Sequence, residues 1–288
     1  MTTRVAVRAQ AKLNLWLHVM AREESGYHTI ETLFHRIELA DDVAVTLAAP
    51  GERSITCSED VGPPRENLAY RAAQEYCGRL EWTTGFHIDL TKRIPARGGL
   101  GGGSADAAAT LLALNHMSPT KLNDEQLAVL GSRLGADVPF LLTDAARALA
   151  WGHGDRMLKL RALPHKHVAL VIPDFGVSTT EAYQSLAGYG PARGQLSLGQ
   201  LMDWSTIARL SMNDLMVSAA VLWNPAILEA VQALRAAGAI MASMTGSGSV
   251  VFGIFDEVPD KAALERVTGF SVVLTRTAVK AESVRALD

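Results

Sequence analysis

The chain has 288 residues, 48% hydrophobic and 20% charged, the make-up of a folded protein large enough for two ordinary domains or one large one. A formal net charge of -3 excludes a broad basic surface for nucleic acid or anionic lipid, so an anionic ligand has to be held locally by a few placed groups. Cys57 and Cys77 are the only cysteines, form no Cys-x-x-Cys pair and read as reduced thiols of a reducing compartment.

Arg4, Arg8 and Lys12 interrupt the apolar residues of the first segment, which is neither a signal-peptide core nor a membrane span, so a cytoplasmic protein is expected. Next, RVAVRAQ and KLNLWLHV alternate apolar and polar residues and predict two strands, the second carrying Lys12 and Asn14 on the face opposite Leu13 and Leu15. IETLFHRIELADDVAVTLAA and RSITCSE predict further strands, ENLAYRAAQEYCGRL an amphipathic helix, and GFHIDLTKRIP a strand ending at Pro95. Between Gly98 and Gly103, five glycines fill six positions ahead of SADAAATLLALNHM, a helix with Ser104 as its expected N-cap. NDEQLAVLGSRLG predicts a helix capped by Asn123 or Asp124 and stopped at Gly135, while ADVPFLL and ARALAWG predict short buried strands.

From about residue 165 the pattern restarts with a strand at HVALVIP, a capped helix at STTEAYQSL and a Gly- and Pro-rich loop over 187–199 that is a candidate for motion. Helices at MNDLMVSAAVL and NPAILEAVQALRAAG, a strand at SVVFGIF, a helix at PDKAALERVT and a strand at SVVLTRTAV complete it. The expected class is α+β in two halves, residues 1–160 and 161–288.

A strand, a glycine run and a helix in that order gather free backbone N–H groups and the positive end of a helix dipole at one point, an arrangement suited to phosphate. The run is not a P-loop, because Ser104 stands where G-x-x-x-x-G-K-[ST] needs lysine. It is not a dinucleotide fingerprint either, because Ser104 replaces the third glycine.

PARGGLGGGSADAA, residues 95–108, is similar to the P-x-x-x-G-L-G-[GS]-[GS]-[SA] loop of the GHMP kinases. AKLNLWLHVMAREESGYHTIETLF, LGADVPFLL, VIPDFGVSTTEAYQSL, MNDLM and MTGSGSVVFGIF resemble, in the right order and across nearly the whole chain, the branch of that family acting on a cytidine-linked methylerythritol. The resemblance implies a two-domain fold with an N-terminal ribosomal-protein-S5-domain-2-like ATP-binding domain, a C-terminal ferredoxin-like domain and the active site in the cleft between them. It implies ATP-dependent phosphorylation of the 2-hydroxyl of 4-(cytidine 5′-diphospho)-2-C-methyl-D-erythritol, a step of non-mevalonate isoprenoid biosynthesis.

Residue by residue, it implies that Pro95, Ala96, Arg97, Gly98, Gly99, Leu100, Gly101, Gly102, Gly103, Ser104 and Ala105 bind ATP, which brings Mg2+ with it. Asp137 matches the base and Lys12 the lysine beside it; Asn14, Tyr27, His28, Tyr183, Gly246 and Gly248 match the substrate site, and no protein metal ligand is assigned. Ala105 stands where the family often has a second serine, and Asp106 and Asp214 read as helix-cap or structural aspartates, although Asp106 could approach magnesium. Two other readings stay open: a GHMP kinase of the homoserine or mevalonate type, and a non-catalytic nucleotide sensor of the same fold. Monomer and homodimer are equally compatible with the sequence.

Overall fold

The computed structural model describes residues 2–23, 28–154, 156–186, 197–222 and 224–287. β1 (Arg4–Arg22) and β2 (His28–Ala48) form one long antiparallel ribbon. The two strands expected at the start are therefore a single one. Register shifts between Gln10 and Lys12, Asn14 and Trp16, and Val19 and Ala21 bend it without ending it. β3 (Arg53–Cys57) lies parallel to β4 (Gly85–Thr91), which continues the sheet from β2, and α1 (Leu68–Arg79) connects the two. After the glycine run, α2 (Gly102–Met117) packs on α1 and β1, followed by α3 (Asp124–Ser132), which starts from a capping box at Asn123 and Gln126.

The ADVPFLL segment is a helix, α4 (Val138–Leu142), and not the strand its apolar run suggested. Pro139 in its first turn has no N–H to give a sheet. At its other end the buried Arg36 of β2 spreads over the terminal carbonyls, Nη2 donating to Phe140, Leu141 and Thr143 at 3.2, 2.9 and 2.9 Å and Nε to Ala145 at 3.0 Å. β5 (Arg147–Gly152) then returns along β2 and β6 (Arg156–Leu160) along β5.

The chain crosses to a second sheet at β7 (His167–Ile172) and continues through α5 (Thr179–Gln184), α6 (Trp204–Leu210), β8 (Met212–Asn213), α7 (Asp214–Leu222), α8 (Ala226–Ala236), β9 (Met241–Met244), β10 (Val251–Phe255), α9 (Lys261–Thr268), β11 (Ser271–Arg276) and β12 (Arg285–Ala286). The second sheet is antiparallel in the order β11-β7-β10-β9, with α8 and α9 as the connections of a β-α-β-β-α-β ferredoxin-like unit. The sequence did not foreshadow the short elements β6, β8, β9, β12 and α6.

The two halves are stitched together through β1. Its residues Trp16 and Leu17 pair in parallel with Met212 and Asn213 of β8, and Val5 pairs with Ala286 of β12. Leu13 and Leu15 belong to a core that also takes Leu170, Phe252 and Ile254 from the second sheet, whereas Leu17 and Val19 pack with Val171, Leu234 and Met244 in another. The stretch from Lys12 to His18 thus lies where both cores and both sheets meet.

Candidate active site

Lys12 leaves β1 almost wholly buried, 3% exposed, so its charge has to be met by protein groups. Its Nζ donates to Asn14 Oδ1 at 2.7 Å, lies 3.2 Å from Asp137 Oδ2 and 5.6 Å from the centre of the Phe34 ring. Phe34 stacks on Phe140 of α4 with centroids 4.9 Å apart, and the guanidinium of Arg36 covers the far ring at 5.0 Å. Asp137 occupies the N-cap position of α4, but its carboxylate makes no capping bond. Its partner is Lys12, and with 27% of the side chain exposed it is reachable from the cleft.

The glycine run closes on this pair. α2 starts from Gly101, in the left-handed region at φ 72°, so Ser104 lies inside the first turn and is not the N-cap that was expected. A left-handed glycine begins the helix earlier than a capping hydroxyl does. A Cβ on Gly101 would meet Lys12 Cε at 3.0 Å and Asp137 Oδ2 at 3.3 Å, and one on Gly99, at φ 74°, would meet the Thr245 carbonyl oxygen at 2.1 Å. The loop therefore lies against the Lys12–Asp137 pair on one side and a second glycine turn on the other.

With no side chain at the N-cap, the amides of the first turn, at Gly102, Gly103 and Ser104, have neither an intrahelical acceptor nor a side-chain cap, and the glycine they follow, Gly101, lies beside Lys12 and Asp137. That donor set fits a phosphate chain. Ala105, whose amide bonds to Gly101 O at 2.8 Å, faces the core, while Ala96 and Arg97 are exposed at the loop entry after Pro95. Behind the loop Lys92 bridges Asp41 and Asp106, the latter at 2.7 Å, tying the strand before the glycines to the helix after them. Burial pushes the Asp106 carboxyl up to about 7 against the pull of Lys92, with Asp41 adding to the rise.

The second turn, Thr245 to Ser249, is held by Asn14 and Asn213. Asn14 Oδ1 accepts from the amide of Gly246 at 2.9 Å as well as from Lys12, and its Nδ2 donates to Thr32 at 2.8 Å, so both ends of the carboxamide are held inside the protein. Asn213 Nδ2 donates to the carbonyls of Met244 and Gly246, both at 2.8 Å. Gly248 is pressed on Met244, whose Sδ would lie 2.6 Å from an added Cβ, and Ser247 shares a hydrogen bond with Thr179 at 2.7 Å. Asp214 receives the Val19 amide at 2.9 Å and pairs with His18, a structural engagement.

Tyr183 of α5 packs its ring on His28 of β2, with centroids 5.1 Å apart and planes tilted by 31°. Burial pushes its hydroxyl up to about 12, and the nearby charge of Asp137 adds to the rise. Tyr183 is therefore close enough to the carboxylate that Lys12 holds to feel its charge. Tyr27 lies outside the described residues. Arg36, Lys92, Asn213 and Thr245 were not singled out from the sequence. Asn213 and Thr245 fall inside the MNDLM and MTGSG motifs, but the partners that give them meaning are far away in the chain.

The model of the GHMP kinases N terminal domain matches residues 67–144, and that of the GHMP kinases C terminal matches 195–271. The 4-diphosphocytidyl-2-C-methyl-D-erythritol kinase of Geobacter metallireducens is 37% identical over 269 residues, 93% of this chain and 95% of its own. The chain belongs to the 4-diphosphocytidyl-2-C-methyl-D-erythritol kinases. A crystal structure of 4-(cytidine 5′-diphospho)-2C-methyl-D-erythritol kinase is 36% identical, with a TM-score of 0.79 over 95% of this chain and 99% of that one. The homoserine kinase of Cytophaga hutchinsonii, at 20% identity and a TM-score of 0.74 over 99% of this chain and 98% of its own, shares the fold. The two-domain GHMP kinase architecture expected from the sequence is the one observed. Among the described residues no helix is long and apolar enough to cross a membrane.

Proposed function

We propose that this chain transfers the γ-phosphoryl group of ATP to the 2-hydroxyl of 4-(cytidine 5′-diphospho)-2-C-methyl-D-erythritol, giving the 2-phosphate and ADP in non-mevalonate isoprenoid precursor synthesis. The observation that carries this reading is the Lys12–Asp137 pair, 3.2 Å apart, beside the glycine from which α2 starts uncapped. Phosphates on one side and a flat base on the other leave the acceptor hydroxyl at the carboxylate.

In this mechanism the amides from Gly98 to Ser104 hold the phosphates, with Pro95, Ala96 and Arg97 shaping the entry and Ala105 anchoring the helix in the core. Asp137 accepts the hydroxyl proton as the acceptor oxygen bonds to the γ-phosphorus and the bridging bond to the β-phosphate breaks, its electron pair leaving with ADP. Lys12 keeps Asp137 ionised and orients the hydroxyl. Tyr27, His28 and Tyr183 take the cytosine, while Asn14 sets the second turn so that Gly246 and Gly248 border the methylerythritol.

A magnesium ion brought by ATP would neutralise charge on the transferring group. We assign residues 1–160 to the ATP-binding domain and 161–288 to the C-terminal domain, and the cytoplasm as the site of action.

The presence of both Lys12 and Asp137, 3.2 Å apart, favours an enzyme over a nucleotide sensor. CDP is expected to inhibit competitively against the cytidine substrate, and homoserine and mevalonate to release no ADP. ADP release with either of those alcohols at a comparable rate would overturn the assignment.

A further inference from the structure

Thr245 sits where β1, the glycine loop and the second glycine turn meet. It is completely buried, and its hydroxyl accepts the Asn14 amide at 3.1 Å. Two acceptors lie within reach of its single proton, Gly99 O at 3.2 Å and Asn14 Oδ1 at 3.3 Å. Asn14 Oδ1 already receives Lys12 Nζ at 2.7 Å and the Gly246 amide at 2.9 Å, so the hydroxyl proton goes to Gly99 O. The result is a directed chain: Asn14 N–H to Thr245 O–H to the carbonyl of Gly99.

That chain runs through three pieces in one line: the β1 residue that aims Lys12, the second glycine turn, and the loop that holds phosphate, adding a side-chain link to the backbone bonds Lys12 N–Leu100 O and Val250 N–Gly98 O. Gly99 has no room to shift independently, since its Cα lies against the Thr245 carbonyl. We infer that Thr245 is a positioning residue for phosphoryl transfer, its hydroxyl fixing the phosphate loop against the Lys12–Asn14 strand so that the γ-phosphoryl group and the base are in register. The hydroxyl carries this role, and the methyl group only fills space. This inference rests on the kinase reading given above.

The test compares wild type, Thr245→Val and Thr245→Ser for kcat, for KM with ATP and with the cytidine substrate, and for hydrogen exchange of the Asn14 amide. A displacement of about 1 Å between reacting groups costs on the order of 100-fold, so Thr245→Val is expected to lose about that factor in kcat while KM for the cytidine substrate stays within about threefold. Thr245→Ser, which keeps the hydroxyl, is expected to hold kcat within about threefold of wild type and to protect the Asn14 amide equally. A serine variant as slow as the valine one, or a valine variant as fast as wild type, would overturn the inference. Should valine prevent folding, the serine variant decides alone. If wild type releases no ADP with the cytidine substrate, the kinase reading falls. Exchange then decides the Thr245 inference by itself: faster Asn14 exchange in Thr245→Val supports it, and unchanged protection overturns it.

Discussion

In the proposed reaction Asp137 is the residue on which the chemistry turns, and its surroundings define what it can do. An aspartate before a proline-containing helical turn is often a cap, but this one makes no capping bond and faces Lys12 at 3.2 Å instead. Asp137→Asn keeps the shape and removes the acceptor, so kcat is expected to fall by about 100- to 10,000-fold with ATP affinity nearly unchanged, as read by steady-state rates and nucleotide titration. Lys12→Met is expected to cost a similar order in kcat; a loss of only a few-fold would remove its supporting role. Both residues were legible because their types and local motifs are distinctive. Asn14 was legible as part of the site, but its hydrogen bonds to Gly246 and Thr32 could not be read from a strand pattern.

At the scale of elements, α4 shows where sequence patterning stops. A short apolar run carries no period that separates helix from strand, and the group that settles the matter, Arg36, lies on β2 about a hundred residues earlier. Arg36→Met removes donors from four buried or half-buried carbonyls at the end of the helix that begins after Asp137. It is expected to destabilise the fold by about 2–4 kcal/mol in denaturant unfolding and to lower turnover together with stability.

The glycine loop was the opposite case, since its composition alone announced close approach. Its support by Lys92 was hidden, because a lysine bridging two carboxylates has no local signature. That bridge has a pH signature. Burial pushes the Asp106 carboxyl up to about 7 in the folded protein from an ordinary 3.8, so between those values the folded state holds a proton the unfolded chain has released. Stability contributed by this group is present below the ordinary value and lost as pH rises through the folded one. In melting curves from pH 4 to 8, Asp106→Asn should therefore gain on wild type as pH rises. Parallel curves would contradict it.

Across the whole molecule, the two halves share their cores and their first sheet through β1. Leu13 and Leu15 pack toward one core, Leu17 and Val19 toward the other, and Lys12, Asn14 and His18 occupy the seam. The two α+β halves were readable from the order of strand and helix patterns. Their interlocking was not, because β8 and β12 are each only two residues long and owe their existence to the edges they find on β1. The proposed function draws on that interlocking, which brings the start of α2 beside the Lys12–Asp137 pair. The most direct test is ADP release from ATP with 4-(cytidine 5′-diphospho)-2-C-methyl-D-erythritol, compared with analogues lacking either the diphosphate or the cytidine. Strong stimulation by the complete substrate and little by either fragment is predicted; no stimulation by the complete substrate, or equal stimulation by the fragment without cytidine, would contradict the account.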